Sequence, residues 1–326
     1  FMVHFKDICG NTELKRHFMT ALRTGNISHA YLISGEQGSG KNMFADAFSA
    51  ALLCTENGEE PCGRCKSCIQ AQTGNHPDII RVTHEKSVIS VDDIREQLNS
   101  NVVVKPYSSE YKVFIVDEAE LMNEAAQNAL LKTLEEPPEY VVILLLSESE
   151  DVLLPTIRSR CVRLNTRPLP TADVVEYLTA NYGVPDYRAT TAAAFSGGNL
   201  GAAIAFITTD GASEERTKVW DFLRNIDDLS IPQIADAMRI EASEREEVLD
   251  LFSLWLRDVL VFKSTGKAKK LILQNEVHSI EKAAKVRSFE ALDRAVRAVD
   301  EARRRLKSNV NADISLEMLA LKLRDR

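Results

Sequence analysis

The sequence predicts an α/β protein: a phosphate-binding parallel sheet with helices on both faces, a cysteine module inserted in it, and all-helical segments after it. Three observations lead there. Short apolar runs alternate with helical periodicity up to about residue 165. Four cysteines crowd between residues 54 and 68. Beyond about residue 211 only stripes at helical spacing are found.

Strands are expected at Ala30–Ser34, Ile79–Val82, Val113–Val116 and Val141–Leu146, because nearly continuous apolar runs suit strands buried on both faces. Helices are expected at Lys41–Leu53, Val91–Leu98 and Asn123–Glu135. In the last, Asn123 can cap the N-terminus, Glu124 suits the positive dipole end, and Pro137 and Pro138 stop it. The alternation implies right-handed crossovers. Arg167-Pro168-Leu169-Pro170 is a stiff break, so residues 1–166 are read as the first domain. Residues 167–210 read as a small helical lid, interrupted at Ser196-Gly197-Gly198-Asn199, and residues 211–326 as a helical third domain. There, Ser243 and Glu246 are expected to form a capping box ahead of Val248, Leu249, Phe252, Trp255, Leu256 and Leu260. Leu292, Ala295, Val296, Val299, Ala302 and Leu306 form a second stripe, and Leu316, Leu319, Ala320 and Leu323 a third.

Composition narrows the function. In 326 residues, 44% are apolar and 27% charged, which excludes a dominantly disordered chain. The longest apolar run, Tyr140–Leu146, is far short of the ~20 residues a membrane-spanning helix needs. Phe1 to Asp7 carry no long apolar core, so export is not expected. A formal charge of -8 argues against the chain coating nucleic acid by itself. Six cysteines are too few for a disulfide scaffold and suit a reducing, cytoplasmic setting.

Gly35-Glu36-Gln37-Gly38-Ser39-Gly40-Lys41-Asn42 lies between an expected strand and helix, the setting of a phosphate-binding loop. Glycines at 35, 38 and 40 let backbone N–H groups approach phosphate oxygens, and Lys41 neutralises them. Asn42 stands where a Ser or Thr would place a hydroxyl on Mg²⁺, so binding of ATP with Mg²⁺ is in doubt. Val113-Phe114-Ile115-Val116-Asp117-Glu118 is the companion element: Asp117 would sit near the metal and Glu118 would orient a water.

Cys54, Cys62, Cys65 and Cys68 are spaced C-x7-C-x2-C-x2-C. Two-residue gaps let thiolates converge on one ion, and four thiolates close a structural Zn²⁺ shell. An iron–sulfur cluster, paired cysteines and uncoordinated thiols are the alternatives. Cys9 and Cys161 stand apart and are expected to be buried small apolar residues. His76 is expected to be a loop histidine rather than a substitute ligand.

With these pieces placed, the first 165 residues resemble the AAA+ module of bacterial clamp-loader subunits. The resemblance rests on His29-Ala30-Tyr31-Leu32 before the loop, the cysteine knuckle after the first helix of the motif, and Asn128-Ala129-Leu130-Leu131-Lys132-Thr133-Leu134-Glu135-Glu136-Pro137-Pro138. Pro155-Thr156-Ile157-Arg158-Ser159-Arg160-Cys161 contains the family's Ser-Arg-Cys element, and Asn309-Val310-Asn311-Ala312 precedes a helix similar to part of its oligomerisation collar. The resemblance implies that Arg160 reaches in trans to the ATP of a neighbouring motor subunit. It also implies tau/gamma and delta partners in a hetero-pentamer that places a sliding clamp on primed DNA.

Two kinds of member compete: the hydrolysing tau/gamma motor and the often silent delta-prime subunit. Asn42, Gly201 at the position of the family's phosphate-sensing arginine, and His76-Pro77-Asp78 favour the silent kind. A rival DNA-binding role would use Lys267, Lys269 and Lys270 with Arg303, Arg304, Arg305 and Lys307.

Overall fold

A computed structural model describes residues 3–56, 58–84, 87–208, 214–308 and 311–325. The expected boundary near residue 210 and Asn309-Val310 lie outside the described residues. The chain divides into two compact units, Phe1–Asp173 with Gly198–Ala202, and Val174–Gly197 with Ala203–Arg326.

The first unit runs α1 (Thr12–Thr24), β1 (Ala30–Ser34), α2 (Lys41–Leu52), α3 (Lys66–Gln72) and β2 (Ile79–Val82). It continues through α4 (Val91–Asp93), a π-helical turn (Ile94–Asn99), α5 (Ser100–Val102), β3 (Lys112–Val116) and α6 (Glu124–Glu135). β4 (Val141–Ser147), α7 (Pro155–Arg158) and β5 (Val162–Asn165) complete it. The strands form one parallel sheet in the order β2-β3-β4-β1-β5.

Strand alternation builds two cores from single runs. Val141, Ile143 and Leu145 pack with Leu130 and Leu134 of α6, whereas Val142, Leu144 and Leu146 pack with Phe18 of α1 and Phe44 and Phe48 of α2. Asn123 caps α6 as expected, accepting from the Ala126 N–H at 2.8 Å. The sequence reading missed α1, α3, α5, α7 and β5. α3 lies within the cysteine cluster, and β5 is a half-exposed edge strand with no continuous apolar run. The expected helix from Val91 is interrupted by the π turn, where Ser100 and Asn101 side chains bond back to the Arg95 and Glu96 carbonyls.

The remaining helices are α8 (Thr171–Tyr182), α9 (Asp186–Phe195), α10 (Leu200–Thr208), α11 (Glu214–Asn225) and α12 (Ile231–Ala237). α13 (Arg245–Thr265), α14 (Val277–Val286), α15 (Phe289–Lys307) and α16 (Ala312–Arg324) follow. In the second unit Phe252, Trp255, Leu292, Val299, Leu316 and Leu323 share one core. Two expectations change. The start of α13 moves: a 3-10 turn, Ala242–Glu244, carries the helical path upstream, Glu244 rather than Ser243 holds the cap position, and the Glu246 carboxylate accepts from Arg303; the Ser243 side chain of the expected capping box lies outside the described residues. Val296 points outward, 37% exposed, because its neighbours Ala295 and Val299 already fill the buried face.

Candidate functional site

The phosphate loop leaves β1 at the carboxyl end of the sheet, with β4 and β5 on either side. That end is where open α/β sheets bind ligands. Gly35 anchors the turn through its N–H to the Ser147 carbonyl at 3.0 Å, and a Cβ there would lie 1.7 Å from the Thr166 hydroxyl oxygen, so only glycine fits. Gly38 and Gly40 take positive φ, with Gly40 at the N-cap of α2. Lys41 is buried, and its Nζ donates to the carbonyls of Gly35 at 2.5 Å and Glu36 at 3.0 Å. A cavity of about 280 Å³ opens beside the loop, lined by Lys41 and Asn42 and by the carboxylates of Asp117, Glu118, Glu120 and Glu148.

Asn42 is bound into that wall. Its Nδ2 donates to Asp117 Oδ2 at 2.7 Å, while its Oδ1 accepts from Arg81 Nη1 at 3.1 Å. Turning the amide over would face oxygen to carboxylate and NH₂ to guanidinium, so the two partners set its orientation. Arg81 also pairs with Asp46, whose carboxyl is pushed above its ordinary range by burial, against the pull of that guanidinium. Sequence reading brought Asn42 and Asp117 together but missed Arg81, which reaches Asn42 from β2. Glu118 sits in the left-handed region at φ 50° and lies 3.4 Å from His84 Nε2.

A second segment closes on the loop. Gly201 donates its N–H to the Gly38 carbonyl at 3.0 Å, and Asn199 Nδ2 donates to the Gln37 carbonyl at 2.6 Å. Asn199 Oδ1 accepts from the Ala202 N–H, so one amide caps α10 and holds the loop. The place expected of a phosphate-sensing arginine is thus filled by backbone against backbone.

Cys54, Cys62, Cys65 and Cys68 come together, each able to offer a sulfur, with all four within 4.8 Å of one another. None is paired in a disulfide. Cys65 Sγ accepts from the Cys68 N–H, and Cys62 Sγ from the Cys65 N–H, each at 3.3 Å. Burial pushes the Cys68 thiol up; at Cys65, donors around the sulfur, the Cys68 N–H first, outweigh burial and hold the thiol down at about 6. The group can hold one metal ion. His76 is not part of it. Buried 9 residues away from Ser67, it accepts from the Asp78 N–H at Nδ1 (3.1 Å), which leaves Nε2 to donate to the Ser67 hydroxyl (3.0 Å). Ser67 in turn donates to the Leu53 carbonyl at 2.7 Å, tying the cysteine module to the start of β2. Cys9 and Cys161 are half-buried rather than buried, and desolvation pushes the Cys161 thiol up to about 12.

Arg160 lies in the turn between α7 and β5. Its Nη2 is 2.8 Å from Glu135 Oε1, and its Nη1 donates to the Thr156 carbonyl at 2.9 Å and the Ser159 hydroxyl at 3.3 Å. Arg158 pairs with Asp151 and Arg163 with Glu150. Of the basic cluster on α15, Arg303 is spent on Glu246 and Asp250, and Arg305 on Glu301.

Comparison with known proteins finds relatives over nearly the whole chain. A family model described as DNA polymerase III, delta subunit, matches residues 10–170, and its C-terminal counterpart matches residues 214–325. The DNA polymerase III subunit delta' of Bacillus subtilis is 32% identical over 311 residues, covering 94% of this chain and 93% of that protein. The tau/gamma subunit of Haemophilus influenzae is 37% identical over 175 residues, covering 53% of this chain and 25% of its own length. A solved gamma subunit-related protein of Thermotoga maritima aligns over 94% of this chain and 98% of its own, at 20% identity and a TM-score of 0.44. The chain belongs to the delta' family of DNA polymerase III subunits.

Proposed function

We propose that the chain is a stator of the DNA polymerase III clamp loader, completing a hetero-pentamer with tau/gamma and delta subunits that places a sliding clamp on primed DNA. Its own phosphate loop does not turn over ATP, and Arg160 serves the ATP site of the neighbouring motor subunit in trans. The observation that carries this reading is Asn42 spanning Asp117 and Arg81. In a hydrolysing site, a hydroxyl and the strand-end aspartate hold Mg²⁺; here the Asn42 amide takes that aspartate, and the Arg81 guanidinium takes the amide oxygen and Asp46. Four carboxylates against one lysine, itself bonded to loop carbonyls, further oppose a triphosphate. No observation favours the motor reading over this one.

Arg160 supplies what this chain would give to chemistry elsewhere. A guanidinium aimed at charge developing on a γ-phosphate stabilises the transition state more than the ground state. The division near residues 166 and 210 is kept as an N-terminal body, a lid and a collar that joins the ring. The four cysteines are assigned to structural Zn²⁺. Cys62 and Cys68 Sγ lie 3.9 Å apart, close to the roughly 3.8 Å edge of a tetrahedron with ~2.3 Å Zn–S bonds. Bound zinc would hold the module closed and leave no position for water. Thiol ligation suits a cytoplasmic setting.

Two assays test the reading together. The purified chain with ATP and Mg²⁺ is expected to release phosphate at background rate. In the assembled loader, Arg160→Ala is expected to slow single-turnover hydrolysis at the adjoining interface by ~10³–10⁵ while assembly persists. Steady turnover by the isolated chain, abolished by Lys41→Ala, overturns the stator role. Unchanged hydrolysis by the Arg160→Ala loader overturns the trans role.

A further inference from the structure

We propose that Glu135 is a positioning residue for Arg160, holding the guanidinium in the direction from which it reaches the neighbouring subunit. The inference rests on the trans role of Arg160 and adds the element that aims it. Two of the three contacts on the guanidinium, the Thr156 carbonyl and the Ser159 hydroxyl, come from the four-residue helix α7 and the turn that leads from it to Arg160. They move with the turn and cannot orient it against the rest of the unit. Glu135, at 2.8 Å from Nη2, is the last residue of α6, a separate and well-anchored helix. Leu130 and Leu134 bury one face of that helix, Asn123 caps its start, and Thr133 donates its hydroxyl to Asn99 Oδ1.

The placement of Glu135 runs against local preference. A carboxylate at a helix C-terminus faces the negative end of the dipole, where a cation is favoured. Side-chain exposures of 50% for Glu135 and 35% for Arg160 make the pair weak as a stabiliser of the fold. A locally unfavourable residue whose partner is a functional side chain marks a functional constraint. The neighbouring arginines lack this arrangement: Arg158 and Arg163 pair with Asp151 and Glu150, which sit together on one 3-10 turn, Glu150–Val152. An arginine side chain held in place loses less freedom when it engages its target, so the benefit belongs to the chemical step.

The test uses the reconstituted loader with clamp and primed DNA, and compares wild type, Glu135→Gln, Glu135→Asp, Arg160→Ala and the Glu135→Gln/Arg160→Ala double variant. Glu135→Gln is expected to lower kcat for ATP about two- to fivefold, the weight of a partly exposed ion pair, with KM unchanged. Glu135→Asp should restore part of the rate, because the charge returns one methylene short. In the Arg160→Ala background, Glu135→Gln should have no further effect. If Arg160→Ala slows the loader but Glu135→Gln does not, Glu135 has no positioning role although the trans reading stands. A faster Glu135→Gln loader would mean that the carboxylate restrains Arg160, which also overturns the proposal. If Arg160→Ala itself changes nothing, the underlying reading has failed, and the proposal with it.

Discussion

Gly201 lies so close to Gly38 that a Cβ at position 201 would stand 2.6 Å from the Gly38 Cα and 2.7 Å from its carbonyl oxygen. The obstacle is backbone on both sides, so it cannot be relieved by a rotamer change. Gly201→Ala should therefore displace the phosphate loop and destabilise the sheet-bearing unit by about 1–3 kcal/mol. Denaturant titration of the variant checks this, and a midpoint equal to wild type would show that the two segments part at no cost.

Metal removal should act locally. The Ser67–His76–Asp78 chain of hydrogen bonds runs from the cysteine module into β2, so chelation or Cys62→Ser should expose amides between residues 54 and 76 before those of β3 and β4. Hydrogen exchange followed by mass spectrometry reads the order. Metal analysis should return about one equivalent per chain, as a four-thiolate shell requires. Simultaneous loss of protection across the sheet would contradict a locally acting site.

Acid should weaken the join between β2 and the segment before β3 through Asp78. Burial pushes its carboxyl up, but the N–H groups of Tyr107 and Ser108 and the Ser108 hydroxyl outweigh that and hold it below its ordinary value. The unfolded chain then binds more protons than the folded one, so stability falls as pH falls. This contribution is complete above about pH 5 and disappears as pH drops through the folded pKa. Asp78→Asn should flatten that part of the stability–pH curve; a curve that keeps its wild-type slope would assign the acid sensitivity elsewhere.

Within the helical unit, Arg287 is 1% exposed and pairs with Asp227 at 2.9 Å, donates to the Leu323 carbonyl, and lies over the Trp255 ring. Arg287→Ala leaves a buried carboxylate without its partner, which typically costs about 3–5 kcal/mol. Replacing both members, Arg287→Met with Asp227→Leu, should recover much of the loss. Urea unfolding followed by the fluorescence of Trp220 and Trp255, both in this unit, distinguishes the outcomes, and a double variant no better than the single would show that the pair is not what the arginine supports.

What the sequence alone determined was whatever is written in short intervals. Apolar runs marked four of the five strands, the glycine spacing marked the loop after β1, and two-residue gaps marked the cysteine cluster, because hydrophobic periodicity and ligand convergence act over a few residues. The helix start expected at Ser243 moved for the same reason: a local pattern was overruled when helical backbone extended past it, Glu244 took the cap position and Glu246 was drawn to Arg303 on another helix. Only the tertiary structure decided that Arg81 would occupy Asn42, that Gly201 would press on Gly38, and that Glu135 would meet Arg160. Each joins residues far apart in the chain, and the meeting is set by strand order and helix packing, where no single stretch of sequence carries the signal.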